Sequence, residues 1–389
     1  MGGKHALVLG ASGITGWAIV SELLSGGPDV QQFSRVTALT NRPLSPEIAR
    51  WPSSPKLNVV SGINLLKGTQ DELQAEFQAK VPNIETVTQL FFNSYKFSTD
   101  KKKESQENAE MLARCVAMAE ALSPSFEFIV LPTGGKAYGY HLLDKFPFGD
   151  QMPLKESLPR IPEPYASDLF YYWQVDRLKS LSKGKSWTYC EIRPDMVVGF
   201  VPNNNAHCLA QILAIYLSLY AHVNGTGSEV PFPGNEKSWV IHSNDSSQDI
   251  VARFSIYASL RPDRAGGGRA FNVCDRSRPS SWSVKWPVLC SYFGLKGTGP
   301  CEGSQQPGPY IQEHRDRWIE LAQENRLRLE QLDNDLANPG FQKYIMSLFV
   351  FERVMSLEAM REAGFSEEVD EKTAWYTAFD RFRAAKIIP

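Results

Sequence analysis

The sequence predicts an α/β fold: a Rossmann-type doubly wound parallel sheet with a smaller, mainly helical C-terminal substrate lobe. Three observations predict it. An apolar run, Leu7-Val8-Leu9, turns directly into the glycine-rich loop Gly10-Ala11-Ser12-Gly13-Ile14-Thr15-Gly16, and an amphipathic segment from about Thr15 to Leu24 reads as the helix that follows. Strand-like and helix-like segments then alternate through the first half of the chain, which implies right-handed crossovers and a parallel sheet. Finally, 389 residues at 42% hydrophobic and 22% charged are enough for one large domain with a smaller lobe.

The opening strand, loop and helix outline a dinucleotide cradle. Gly10 allows the tight turn off the strand, Gly13 lets the backbone approach a pyrophosphate, and Gly16 lets the helix pack closely on the sheet. Ser12, Ile14 and Thr15 complete the loop, and the helix N-terminus offers unpaired N–H groups to phosphates. The second strand, Arg35 to Thr40, ends in Asn41-Arg42-Pro43. An acid at this position would hydrogen-bond a ribose 2′-hydroxyl and favour NAD, whereas an arginine accommodates the 2′-phosphate of NADP. No acid is present and Arg42 is, so the expected cofactor is NADPH/NADP.

The third strand, Leu57 to Ser61, is followed by Asn64, placed to hydrogen-bond adenine, and the fourth, Thr88 to Phe92, by Asn93 and Ser94. A helix from about Lys103 to Leu122 leads to the fifth strand, Phe126 to Leu131, and then to Pro132-Thr133-Gly134-Gly135-Lys136-Ala137-Tyr138-Gly139. Loops at strand carboxyl ends line the cofactor crevice in open α/β sheets, which places Thr133, Gly134 and Lys136 there, with Tyr138 packing beside the cofactor. The proline-rich stretch Phe146 to Pro164 reads as a surface loop or lid. A helix over Ser167 to Ser182 and a sixth strand, Thr188 to Arg193, follow, with Pro194 and Val197 at the end of the crevice.

Past Phe200 the character changes. Residues 1–200 read as the NADP-binding domain, joined by a further strand near 269–273, and residues 201–389 mainly as a substrate lobe interleaved with it. Asn203-Asn204-Asn205 marks a loop, Leu209 to Leu219 an apolar helix, and Gly297 to Pro309 an exposed connector. The remainder reads as three helices, Ile311 to Leu332, Phe341 to Ala363 and Lys372 to Lys386.

Composition excludes several classes. A net charge of −2 argues against nucleic acid, which needs clustered cations; the one tight basic run, Lys101-Lys102-Lys103, reads as a solvated helix start. No apolar run reaches the ~20 residues that span a bilayer. The immediate first strand leaves no room for a signal peptide, and six scattered cysteines read as reduced thiols, so the expected location is cytoplasmic. No histidine or cysteine spacing suggests a metal. Symmetry statistics make a homodimer the default oligomer.

The chain resembles the progesterone 5β-reductase and iridoid synthase-like (PRISE-type) enzymes, an atypical branch of the extended short-chain dehydrogenases. The resemblance runs nearly end to end. It rests on the glycine loop, Asn41-Arg42-Pro43, and Thr133-Gly134-Gly135-Lys136-Ala137-Tyr138-Gly139 against T-G-x-K-H-Y-x-G. It also rests on Phe170-Tyr171-Tyr172 with Asp176 against N-F-Y-Y-x-x-E-D, on Arg193-Pro194, on Ser238-Trp239, and on the closing Ile387-Ile388-Pro389. Ala137, Leu169 and Val175 depart from those patterns.

The resemblance implies that the catalytic tyrosine is Tyr171 and the catalytic lysine Lys136. The chemistry is intelligible on its own terms. Hydride delivered to an enone or a carbonyl pushes charge onto oxygen, which an O–H donor stabilises and a nearby ammonium supports. Ordinary short-chain dehydrogenases carry the lysine four residues after the tyrosine, where this chain has Val175. Tyr172, turned about 100° away on the helix, is the rival donor. The family's apolar pocket suggests Tyr95, Tyr140, Leu213, Phe349 and Phe351 as substrate contacts. The expected activity is therefore NADPH-dependent reduction of the activated C=C of an enone or enal in an apolar terpenoid, steroid or polyketide-like substrate. Carbonyl reduction on the same scaffold is the alternative, and a non-catalytic NADP sensor a third reading.

Overall fold

The computed structural model describes residues 3–202, 207–328 and 339–389. Strand β1 (Lys4–Leu9) leads into helix α1 (Ile14–Leu23). Then come β2 (Phe33–Thr40), β3 (Leu57–Ser61), α2 (Gln70–Lys80), β4 (Gln89–Phe92), α3 (Lys101–Leu122), β5 (Phe128–Pro132), α4 (Phe170–Leu181) and β6 (Thr188–Pro194). A short β7 (Met196–Val198) precedes α5 (Leu209–Asn224), β8 (Glu229–Pro231), β9 (Asp245–Ser247), α6 (Gln248–Ser259) and β10 (Arg269–Val273). The chain closes through α7 (Trp282–Tyr292), β11 (Lys296–Thr298), α8 (Pro307–Glu313), α9 (Arg315–Asn325) and α10 (Glu371–Ala384).

Seven strands form one parallel sheet in the order β10-β6-β5-β4-β1-β2-β3. The strand expected near 269–273 is its edge, with Arg269 beside Cys190. Alternation along the strands sorts their side chains into two cores. Ala6, Val8, Phe91, Val130 and Cys190 pack on the face covered by α1 and α6; Leu7, Leu9, Leu90, Phe92, Ile129 and Leu131 pack on the face covered by α2 and α3. Burial on both faces is why these strands read as continuous apolar runs rather than as alternating ones. Strand order reverses at β1, so the crevice between the carboxyl ends of β1 and β4 is where such sheets take a ligand.

Several expectations are corrected. The stretch Gly297 to Pro309 is not only a connector: its first residues belong to β11, which pairs in parallel with β8, and Pro307 opens α8. The helix expected from Ile311 is broken at His314 into α8 and α9, and its end near Leu332 lies outside the described residues, as does the loop Asn203-Asn204-Asn205. The helix expected over Phe341 to Ala363 stops at Leu348 and resumes only at Glu358–Glu362. Between them Phe349 and Met355 are buried while Val350 is exposed, and the segment forms bridges Ser243 to Arg353 and Leu154 to Met355. Those partners lie far apart in sequence, so local periodicity does not reveal them. The stretch Phe146 to Pro164 is mostly exposed, as a surface loop is, but it is pinned: Phe148, Leu154 and Ile161 are buried, and Leu154 exchanges backbone hydrogen bonds with Val354 and Ser356.

Helix α2 is an element the hydrophobic pattern does not announce, yet its start is written in Thr69-Gln70-Asp71-Glu72. Thr69 accepts from the Glu72 N–H at 3.2 Å while Glu72 accepts from the Thr69 N–H at 2.7 Å, a reciprocal capping box. Among the described residues no helix is long and apolar enough to cross a membrane.

Candidate active site

The glycine loop is shaped by backbone contacts that only glycine permits. Gly10 sits at φ +71°, and a Cβ there would lie 2.5 Å from the Asn93 carbonyl oxygen. A Cβ on Gly16 would stand 2.3 Å from the Gly10 carbonyl oxygen, so α1 can approach β1 this closely only without one. At Gly13 a Cβ meets the Gly10 oxygen alone, at 3.4 Å, and otherwise open space. No side chain caps α1 and no acid occupies its first turn, which leaves its N–H groups directed at that space. Ser12, Ile14 and Thr15 are half-buried along the rim. A dinucleotide pyrophosphate fits this cradle by shape and by charge.

The carboxyl ends of the neighbouring strands add the other candidates. Asn41 and Arg42 are exposed after β2, the Arg42 carbonyl accepts from Thr40, and no carboxylate among the described residues pairs with its guanidinium. Asn64 is exposed after β3, but its side-chain oxygen already accepts from the Leu66 N–H at 3.1 Å, leaving its amide donor for a base. Asn93 donates to the Phe91 carbonyl at 3.3 Å while its buried side-chain oxygen has no protein partner, and Ser94 is half-buried beside it. Thr133, at the end of β5, donates to Glu191 at 2.6 Å. Pro194 ends β6, and Val197 is half-buried in β7.

The two tyrosines on α4 separate cleanly. Tyr172 donates to the Ala137 carbonyl at 2.7 Å and accepts from the Ile161 N–H at 3.1 Å, so its hydroxyl is spent on holding the β5 loop to the proline-rich segment. Tyr171 has no hydrogen-bond partner among the described residues. Its hydroxyl faces the β5 loop: a Cβ on Gly134 would be 3.3 Å from it and 3.5 Å from the Pro194 carbonyl oxygen. Burial first, then the carboxylates of Glu191 and Glu104, push the Tyr171 phenol above its ordinary range, so it is a neutral donor at pH 7.

Lys136, two residues after Gly134, is exposed at the end of the β5 loop and has no ion-pair partner among the described residues. Desolvation, then the like charge of Lys101, lower its pKa, with Glu104 opposing them. It depresses the pKa of His141 in turn, after burial, to about 4, so that imidazole is neutral. The expectation for Tyr138 is corrected: it is 1% exposed, and its hydroxyl donates to Asn272 at 2.6 Å inside the protein.

Sequence reasoning missed Glu191, Arg193 and Glu104. Arg193 binds both oxygens of Glu191, at 3.0 and 2.8 Å, fixing the anion beneath Thr133 and Tyr171. A lone acid inside the apolar strand Tyr189-Cys190-Glu191-Ile192 was the available signal. Of the five pocket candidates, Tyr95 is 48% exposed and stacks on Phe170 at 5.1 Å. Tyr140 and Phe349 are buried edge-to-face at 5.4 Å, Phe351 is half-buried against Phe146, and Leu213 is fully buried on α5, in the core. A separate groove of 810 Å³ lies by α3, α4 and the proline-rich segment, lined among others by Arg160, Trp173 and Asp176 and by none of the cofactor candidates.

With this geometry in hand, the family model for the PRISE-like Rossmann-fold domain matches residues 6–389. The chain is 34% identical to Short chain dehydrogenase ausT of Aspergillus calidoustus, over 99% of this chain and 94% of that one. It is 33% identical to Short chain dehydrogenase sirQ of Leptosphaeria maculans, over 99% and 97%. It is 24% identical to a 3-oxo-Delta(4,5)-steroid 5-beta-reductase of Arabidopsis thaliana, over 99% and 93%. Among solved structures, the epimerase Mth375 of Methanothermobacter thermautotrophicus shares the fold with a TM-score of 0.64 at 14% identity, covering 98% of this chain and 93% of that one. The chain belongs to the PRISE-like Rossmann-fold family and is an oxidoreductase of the short-chain dehydrogenase type.

Proposed function

We propose that the protein is an NADPH-dependent reductase that adds hydride to the activated C=C of an enone or enal in an apolar substrate of the terpenoid, steroid or polyketide kind. The observation that carries this reading is the Tyr171 hydroxyl, unpartnered among the described residues, set against the β5 loop and kept protonated by burial and, after it, by the carboxylates of Glu191 and Glu104. The names of two relatives, a steroid 5-beta-reductase and an (S)-8-oxocitronellyl enol synthase, agree with it.

Gly10, Gly13 and Gly16 would hold the pyrophosphate, Arg42 the 2′-phosphate, Asn64 the adenine, and Thr133, Gly134, Pro194 and Val197 the nicotinamide end. Bound there, the reduced nicotinamide supplies a hydride. When the substrate's β-carbon gains it, the C=C electrons move to the carbonyl oxygen, and Tyr171 stabilises that enolate by hydrogen bonding. An enolate is a much weaker base than an alkoxide, so a neutral phenol serves without surrendering its proton; the α-carbon takes a proton from water. Lys136 supplies positive charge along the same wall. Carbonyl reduction would instead require full proton delivery to an alkoxide.

Incubation of an enone with NADPH deuterated at C4 tests the reaction class. Deuterium at the β-carbon is the expected result; deuterium on the carbonyl carbon overturns the proposal in favour of carbonyl reduction. Cofactor choice is tested separately. Arg42→Gln is expected to weaken NADPH binding about 10- to 100-fold, the value of a charge-assisted phosphate contact, and to leave NADH affinity unchanged. Equal effects on both cofactors in fluorescence titrations would remove the 2′-phosphate role.

A further inference from the structure

Glu104 is a carboxylate hidden behind a lysine run. It lies on the first turn of α3 with its side chain 4% exposed, although Lys101-Lys102-Lys103 before it reads as a solvated helix start. Its oxygens accept from the Tyr95 hydroxyl at 2.5 Å and the Ser98 N–H at 3.5 Å, and pair with Lys101 at 3.0 Å. Burial works against the anion, but those hydrogen bonds and Lys101 outweigh it and hold Glu104 below the usual carboxylate range. A buried charge this well provided for is a fixed point in the structure.

What it fixes is Tyr95. That residue follows Asn93 and Ser94, the cofactor candidates of the β4 loop, and combines an exposed ring with an immobilised hydroxyl. The ring stacks on Phe170 at 5.1 Å and 28°, and Phe170 meets Tyr171 edge-on at 4.6 Å and 70°. One face of the aromatic ladder Tyr95–Phe170–Tyr171 is thus anchored at Glu104, and its far end is the proposed donor.

A second, independent clamp holds the same loop. Asn108 accepts from the Lys96 N–H at 2.9 Å and donates at 2.8 Å to both the Lys96 and the Glu104 carbonyls. Asn108 therefore secures the backbone through contacts that do not involve the Glu104 carboxylate.

We propose that Glu104 is a positioning residue for the reductase reaction: by pinning Tyr95 it fixes a flat wall against which a conjugated substrate lies, and through Phe170 it orients the Tyr171 hydroxyl toward the substrate's oxygen. The inference rests on Tyr171 as the donor.

The test is steady-state reduction of cyclohex-2-enone and of a steroid 4-en-3-one by the full chain with NADPH, with thermal unfolding measured on each variant. Glu104→Ala and Tyr95→Phe are each expected to lower kcat/KM about 10-fold, as small displacements of a positioned group do, and the double variant to be no worse than either single. Glu104→Gln, which still accepts from Tyr95, is expected to recover most of the loss. Effects that multiply in the double variant overturn the proposal. So does a Glu104→Ala protein with a lower Tm and wild-type kinetics. Failure of the underlying reading shows separately, as Tyr171→Phe turning over at the wild-type rate.

Discussion

Tyr171→Phe is expected to lower kcat by about 100- to 1000-fold, the usual cost of removing one oxyanion donor, while NADPH binds as in the wild type. The ring is retained, so its edge contact with Phe170 and the packing of α4 survive; only the hydroxyl facing Gly134 is lost. Tyr172→Phe forms the control. Its hydroxyl joins Ala137 to Ile161, so its loss shows in the melting temperature rather than in a 100-fold drop of kcat. The pH profile sharpens the assignment. The Tyr171 pKa is raised, so its proton stays on through the ordinary tyrosine range near 10, whereas the Lys136 pKa is lowered and its ammonium is lost earlier than that of a free lysine. As pH rises from 7, the alkaline fall in kcat/KM therefore belongs to Lys136 and is expected to vanish in Lys136→Met. A fall that persists in that variant would assign the limb to another group.

Gly16→Ala is expected to disable the cradle itself. The new methyl would lie 2.3 Å from the Gly10 carbonyl oxygen and 3.0 Å from the Ala11 Cα, backbone atoms that cannot rotate away. Helix α1 must then lift from β1, at a cost of about 1–3 kcal/mol for overpacking, and its N–H groups move off the pyrophosphate. Thermal unfolding with and without NADPH reads both effects: a lower Tm for the free protein, and loss of the shift that the cofactor gives the wild type. Gly13→Ala separates them, because its methyl enters open space: the free protein melts normally and the cofactor-induced shift falls. A Gly16→Ala protein matching the wild type in both readings would show that the loop tolerates a side chain.

Much of the site is legible along the chain because its parts are local. The glycine loop, the arginine after β2 and the polar residues ending β3, β4 and β5 sit where strand carboxyl ends converge, and a parallel sheet guarantees that convergence once the strands are recognised. Phe170-Tyr171-Tyr172 is equally local, although the choice between the two tyrosines needed their partners. Glu104 shows the opposite case. Nothing in Lys103-Glu104-Ser105 distinguishes a buried carboxylate from a solvated one, since its burial is made by the loop of Tyr95 and Ser98 folding back over it.

The same division runs through the whole protein. The order of strands in the first half and the glycine loop between β1 and α1 were determined by the sequence alone, because each depends on neighbours within a turn or a strand end, whereas Tyr171 and Lys136 are what the family resemblance implies. The broken helix before Glu358, the anchoring of the proline-rich segment through Leu154 and Met355, and the roles of Glu191 and Glu104 were decided only by tertiary structure. Each depends on pairing between segments distant in sequence, where hydrogen-bonded bridges and buried charges outweigh the local preference for helix or for water.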